Sequence, residues 1–104
     1  MTNDQLRFLG LMRRAGKLAS GEEGVKKAVL SRKACRILLA SDASENAEKR
    51  AKAFALRIHA PVIRLSGTKA ELADAFGTAA VAMYAICDEG FATAFDRKLA
   101  ETEQ

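Results

Sequence analysis

The sequence alternates helix-start signals with short runs of branched apolar residues, and that alternation is its strongest constraint on a fold. Thr2-x-x-Gln5, Ser20-x-x-Glu23, Asp42-x-x-Glu45 and Thr68-x-x-Glu71 each place a capping oxygen three residues ahead of a Glu or Gln. At that spacing the two side chains can satisfy two orphan backbone donors of a first helical turn. Asp88 is placed to cap a fifth helix ahead of Phe91, Ala94 and Phe95. Between the signals lie Ile37-Leu38-Leu39-Ala40, Val62-Ile63-Arg64-Leu65 and Val81-Ala82-Met83-Tyr84-Ala85-Ile86, with Lys17-Leu18-Ala19-Ser20 as a weaker fourth run. These runs are too short for helices and read as strands, the first and third of the main three covered on both faces. The expected order is α-β-α-β-α-β-α-β-α. It predicts an α/β fold, a three-layer α/β/α sandwich around a four-stranded mixed, mostly parallel sheet. At 104 residues the chain fits a single domain, 1–104.

The helices carry apolar stripes at a period of 3.6 residues. Leu6, Leu9 and Met12 line the first, Val25, Ala28 and Val29 the second, and Ala47, Ala51, Phe54, Ala55 and Ile58 the third. Pro61 ends the third helix, and His59 beside it is expected to interact with the last carbonyls. Apolar residues make up 49% of the chain and charged residues 29%, which excludes a disordered chain. No apolar run approaches the ~20 residues of a membrane span, and no secretory signal is legible, so the expected compartment is cytoplasmic. Cys35 and Cys87 read as reduced, buried thiols. With the lone His59 they are too few for a metal site, so neither metal nor cofactor is expected.

Charge is the second constraint. From Arg13 to Arg36 the chain holds Arg13, Arg14, Lys17, Lys26, Lys27, Arg32, Lys33 and Arg36 against Glu22 and Glu23 only, a net of +6. The whole chain carries +4, so this stretch is expected to gather a cationic face around the start of the second helix, suited to a polyanion. Gly21 and Gly24 would let another backbone approach that start, and its free amides favour a phosphate. The competing reading is ordinary: Glu22 and Glu23 offset the helix dipole and the lysines are solvated. Asp42, after a buried strand, reads as a structural cap. Gly77-Thr78-Ala79-Ala80 reads either as a low apolar floor for a base or sugar or as a tight connection. Phosphate-loop, dinucleotide, nucleophile-elbow and zinc-protease motifs are missing, so an enzyme is not expected. The chain has no Trp and one Tyr, which disfavours a binder that reads single strands by stacking.

Four segments resemble the superfamily of small ribosomal and RNA-remodelling proteins that grip kink-turn RNA, and within it the small bacterial YlxQ-like members. They are Leu9 to Gly21, Ile37 to Ser44, Leu72 to Gly77 and Asp88 to Ala92. The family motif Gly-x-Asn-Glu-x-x-Lys falls at the start of the second helix. Its Gly corresponds to Gly21 and its Lys to Lys27, while Glu23 stands at the Asn position and Gly24 at the Glu position. The resemblance implies that Lys27 reaches a guanine edge or the RNA backbone. It also implies that Gly77, Thr78, Ala79 and Ala80 hold an extruded nucleotide. Lys26 would add a phosphate contact, with Arg13, Arg14, Lys17, Arg32, Lys33 and Arg36 supplying diffuse attraction. The expected protein is thus a non-enzymatic monomer that binds structured, sharply bent RNA, ribosomal or ribosome-associated, with no membrane or small-molecule partner. Two alternatives stay open: a protein-interaction or dimerisation adaptor that has lost base readout, and an auxiliary RNA-recognition domain of a larger RNA-modifying system.

Overall fold

Helix and strand alternate as expected in the computed structural model, which describes residues 1–103. The order is α1 (Asn3–Arg14), β1 (Leu18–Ser20), α2 (Gly21–Leu30), β2 (Arg36–Leu39), α3 (Glu45–Arg57), β3 (Val62–Arg64), α4 (Lys69–Phe76), β4 (Met83–Ile86) and α5 (Glu89–Glu103). Gln104, the last residue of the expected domain, lies outside the described residues.

Three of the five start signals work as the spacing predicts. Thr2 with Gln5 and Thr68 with Glu71 form complete reciprocal boxes. Asp88 Oδ2 accepts from the Phe91 amide at 2.8 Å. The other two differ. Ser20 makes no side-chain cap bond, because Gly21 after it sits at φ +79° and is itself the residue that turns the chain into α2. Ser20 stands at the N-cap position, but the left-handed turn at Gly21 leaves its hydroxyl without the usual bond to a first-turn amide. For α3 the cap is Ser44, whose hydroxyl accepts from the Ala47 amide at 3.1 Å. Asp42 instead accepts from the backbone amide of Lys69, the first residue of α4, at 2.9 Å. It caps a different helix from the one that follows it in sequence.

The sheet order is β1-β4-β2-β3. β2 and β3 pair in parallel, with Ile37 opposite Val62. β4 lies antiparallel between β1 and β2, with Ala85 opposite both Ala19 and Ile37. Three of the four strands thus point the same way, as expected, but only one of the three pairings is parallel. The cause is α4. Its eight residues cover only about 12 Å, and residues 77–82 bring the chain back to the end of the sheet it had just left. β4 must then run downward. Here the end where β1, β2 and β3 finish is called the upper end, and the opposite one the lower end.

Alternate residues of β2 and β4 face opposite layers. Leu38, Ala40, Tyr84 and Ile86 pack with Leu9 and Met12 of α1, Leu72 and Phe76 of α4, and Ala92 and Phe95 of α5. Ile37, Leu39, Met83 and Ala85 pack with Val25, Ala28 and Val29 of α2 and with Ala47, Ala51 and Ala55 of α3. The stripes read from sequence are these buried faces, with Leu6, Phe54 and Ile58 half-buried at their margins. Tyr84 is fully buried, its hydroxyl has no hydrogen-bond partner, and Phe76 meets its ring edge-on at 5.7 Å.

Three helices end in the same tight motif. After the C-cap, one residue turns left-handed, and its amide and the next bond back into the last turn. Gly16 (φ +73°) ends α1, Arg32 (φ +62°) ends α2 and His59 (φ +56°) ends α3. At α2 the Arg32 amide reaches Val29 O at 3.1 Å and the Lys33 amide reaches Ala28 O at 2.9 Å. His59 does bond to the end of α3, though through its backbone amide, which reaches Leu56 O at 3.2 Å. A left-handed residue with a Cβ costs about 1–2 kcal/mol, while glycine's extra freedom in the unfolded chain costs about 0.5–1 kcal/mol. Arg32→Gly should therefore stabilise the domain by up to about 1 kcal/mol, read as a higher urea midpoint at unchanged slope.

Cys35 and Cys87 are free thiols, half-buried rather than buried. Burial, followed by a hydrogen bond with Glu89, pushes Cys35 up to about 11, and burial also raises Cys87. Only the thiolate is nucleophilic, so iodoacetamide at neutral pH should alkylate Cys35 at least about tenfold more slowly than a small free thiol. A mass-spectrometric time course checks this.

Candidate nucleic-acid interface

At the upper end the chain leaves β1 through Ser20 and enters α2 through left-handed Gly21. A Cβ built on Gly21 would lie 3.6 Å from Val81 Cγ1, so the start of α2 and the 77–82 loop are in contact. That loop is tied down on its other side, where Ala82 O accepts from the Ala40 amide at 2.8 Å. Gly24, one turn into α2, lies against Ala19 of β1, where its Cβ would sit 3.9 Å from the Ala19 Cβ. Lys27 follows one further turn along that same flank. Gly21 thus lies against Val81, the residue that follows the 77–80 segment, while Gly77 and Thr78 close the C-terminal end of α4. Thr78 Oγ1 is buried beside the end of α4, with no hydrogen-bond partner among the described residues.

The N-termini of α2, α3 and α4 all open on this end, since each follows a strand that finishes there. Their free amides give it a positive partial charge. Several carboxylates nearby are already engaged. Glu22 pairs with Arg50 of α3 at 2.7 Å. Glu48 pairs with Lys52 at 3.0 Å and with Arg64, and the Lys52 bond and charge hold its carboxyl below the usual range. Arg64 also donates to Ser41 O at 3.0 Å. Glu71 is held low by its hydrogen bonds with Thr68, and Asp42 faces the Lys69 amide. Glu23 is exposed, and because the Ser20 box does not form, that box does not hold its carboxylate. Glu23, Lys26, Lys27, Leu30 and Ser31 line one shallow exposed strip along α2. Neither lysine is in an ion pair among the described residues.

The remaining basic residues are not at the helix start. The stretch from Arg13 to Arg36 crosses the domain twice, up β1 and down α2, so both of its ends lie at the lower end. Arg13 and Arg14 are in the last turn of α1. Lys17 precedes β1, and its carbonyl accepts from the Cys87 amide at 2.8 Å. Arg32 and Lys33 follow the last turn of α2. Arg36 is half-buried and held by Asp96 at 2.8 Å and by Cys35 O at 2.7 Å. Its charge is thus compensated, which corrects its expected place among the free cations. The single cationic face expected around α2's start is instead spread down α2, with Lys26 and Lys27 part-way along it, the latter in its last turn, and the other basic residues at the lower end.

Sequence reading missed Arg50, Arg64 and Val81 at the upper end. Arg50 was visible only as a residue off the apolar stripe of α3. Its pairing with Glu22 depends on α2 and α3 packing side by side, which no local spacing encodes.

No helix among the described residues is long and apolar enough to cross a membrane, and no group of three or more His, Cys, Asp or Glu side chains among them is placed to hold a metal. Comparison with known proteins agrees with the fold. An Enterococcus faecium protein named RNA-binding protein YlxQ is 34% identical over 87 residues, covering 84% of this chain and 82% of its own. The solved structure of a Bacillus halodurans protein of unknown function superposes with a TM-score of 0.82 at 29% identity, over 92% of this chain and 96% of that one. The Giardia lamblia 15.5kD RNA binding protein shares the fold, with a TM-score of 0.68 at 15% identity, over 99% of this chain and 91% of its own. Residues 6–95 match the ribosomal protein L7Ae/L30e/S12e/Gadd45 family, and the chain belongs to that family.

Proposed function

We propose that this chain is a non-enzymatic, cytoplasmic RNA-binding protein that grips structured, sharply bent RNA of the kink-turn type, ribosomal or ribosome-associated, at the upper end of its sheet. The observation that carries this reading is the contact between Gly21 and Val81, which joins the α2 start to the 77–82 loop. A bent RNA crowds phosphates at its elbow and turns bases outward. Such a shape is recognised through backbone geometry and extruded bases rather than through the deep major groove. The α2 amides and Lys27 supply the phosphate contacts, and Gly21 and Gly24 keep the surface low enough for close approach. Glu23 is free to accept from a guanine amino group, while Gly24 offers backbone alone at its position. The small residues of the 77–80 segment form the floor for an extruded nucleotide. The names of the Enterococcus and Giardia proteins support the RNA class.

Lys27 is exposed and in no ion pair among the described residues, so removing it leaves the core intact. Lys27→Ala should weaken binding to a kink-turn RNA by about 1 kcal/mol or more, roughly fivefold, with an unchanged circular dichroism spectrum. A gel-shift titration of the two proteins checks it, and equal affinities would overturn the assignment.

A further inference from the structure

We infer that the lower end of the domain carries a second RNA surface, made by Lys17, Arg32 and Lys33, which holds the phosphates of a duplex arm leading away from the bend. This rests on the RNA-binding reading above and adds a second point of contact to it.

Three observations carry it. The first is proximity. The Cys87 amide donates to Lys17 O at 2.8 Å, and the amide of Cys35, two residues after Lys33, donates to Ile86 O at 2.7 Å, so Lys17 and Lys33, sixteen apart in sequence, both lie near the foot of β4. The second is the state of the charges. Arg13, Arg14, Lys17, Arg32 and Lys33 are all exposed, and none is in an ion pair among the described residues. The nearby acids are occupied elsewhere. Asp88 caps α5, Asp96 holds Arg36, and Glu89 faces Cys35 and Arg36 on the α5 side of the sheet. The third is strain. Arg32 occupies the left-handed position that ends α2, where glycine would be unstrained and where Gly16 does the same work for α1. The chain keeps a guanidinium at that corner against its own backbone preference.

Distance separates this surface from the Gly21 end of the first, with Lys27, in the last turn of α2, between the two. Gly21 and Arg32 are eleven residues apart along α2, about 16 Å at the helical rise, in a domain 27–30 Å across. An elbow seated on Gly21 does not fill both places, whereas a duplex arm running down the α2 side reaches the lower group. Exposed lysines and arginines suit phosphates rather than base edges, so the contact is indifferent to sequence.

The test uses two kink-turn RNAs that differ only in their arms. In one the arms extend well past the 30 Å breadth of the domain, and in the other they are trimmed to a few base pairs. Wild type and the triple variant Lys17→Gln, Arg32→Gly, Lys33→Gln are titrated by fluorescence anisotropy across a salt series. The variant should lose about tenfold in affinity for the long-armed RNA, with a salt slope shallower by about 2. On the trimmed RNA it should match wild type within about twofold. Lys27→Ala should weaken both RNAs alike. Equal affinity of variant and wild type for the long-armed RNA, or an equal loss on both RNAs, would overturn the second surface while leaving the first in place. Wild type failing to bind either RNA would overturn the functional reading itself, and this inference with it. Arg32→Gly alone gives a further check: its fold should be at least as stable as wild type while its long-arm affinity falls.

Discussion

Backbone hydrogen bonds hold β4 between β1 and β2, and they determine what each end of the molecule presents. Because β4 runs downward, its first residue lies beside the last residues of β1 and β2. The loop that feeds it must therefore cross the upper end, where it meets Gly21. Its last residue lies beside the start of β1 and the approach to β2, so Cys87 is bracketed by Lys17 and Lys33. All four residues of β4 are buried, and its side chains contribute to both halves of the core. A strand covered on both faces and paired on both edges cannot shift register without turning every side chain to the wrong layer. The positions of both surfaces inherit that rigidity.

The electrostatics follow from the layering. The layer of α2 and α3 uses small residues, Ala28, Ala47, Ala51 and Ala55, against the sheet, and its two helices lie close enough for Glu22 to reach Arg50. That ion pair is exposed, and its worth to stability is small. Its effect on the surface is larger. It masks an acidic charge at the first turn of α2, where an anion would otherwise meet a carboxylate. The same holds for Asp42 at the α4 amide and for Glu48 between Lys52 and Arg64. Much of the acidity near the upper end is spent on local structure, and Lys26 and Lys27 form no ion pair among the described residues.

Much of the architecture was legible in the residues. Number, kind and order of the elements follow from five cap signals and four apolar runs, because capping and side-chain periodicity act within a few residues of the chain. The buried stripes were legible for the same reason. Gly21, Lys27 and the 77–80 segment were legible as candidates through their likeness to a known motif. Ser20 and Asp42 show the limit. Their spacing to Glu23 and Glu45 satisfies the capping rule, yet the left-handed turn at Gly21 left Ser20 without a side-chain cap bond, and a second serine lay closer to the other helix start.

What the chain by itself determined is therefore local: where helices begin, which faces they bury, and how much positive charge the first third of the molecule carries. Only the tertiary structure decided where that charge goes. A stretch that runs up a strand and back down a helix returns its two ends to one place and carries its middle to another. Nearness along the chain therefore said little about nearness in space for Arg13 and Lys27, while Lys17 and Lys33, far apart in sequence, became neighbours.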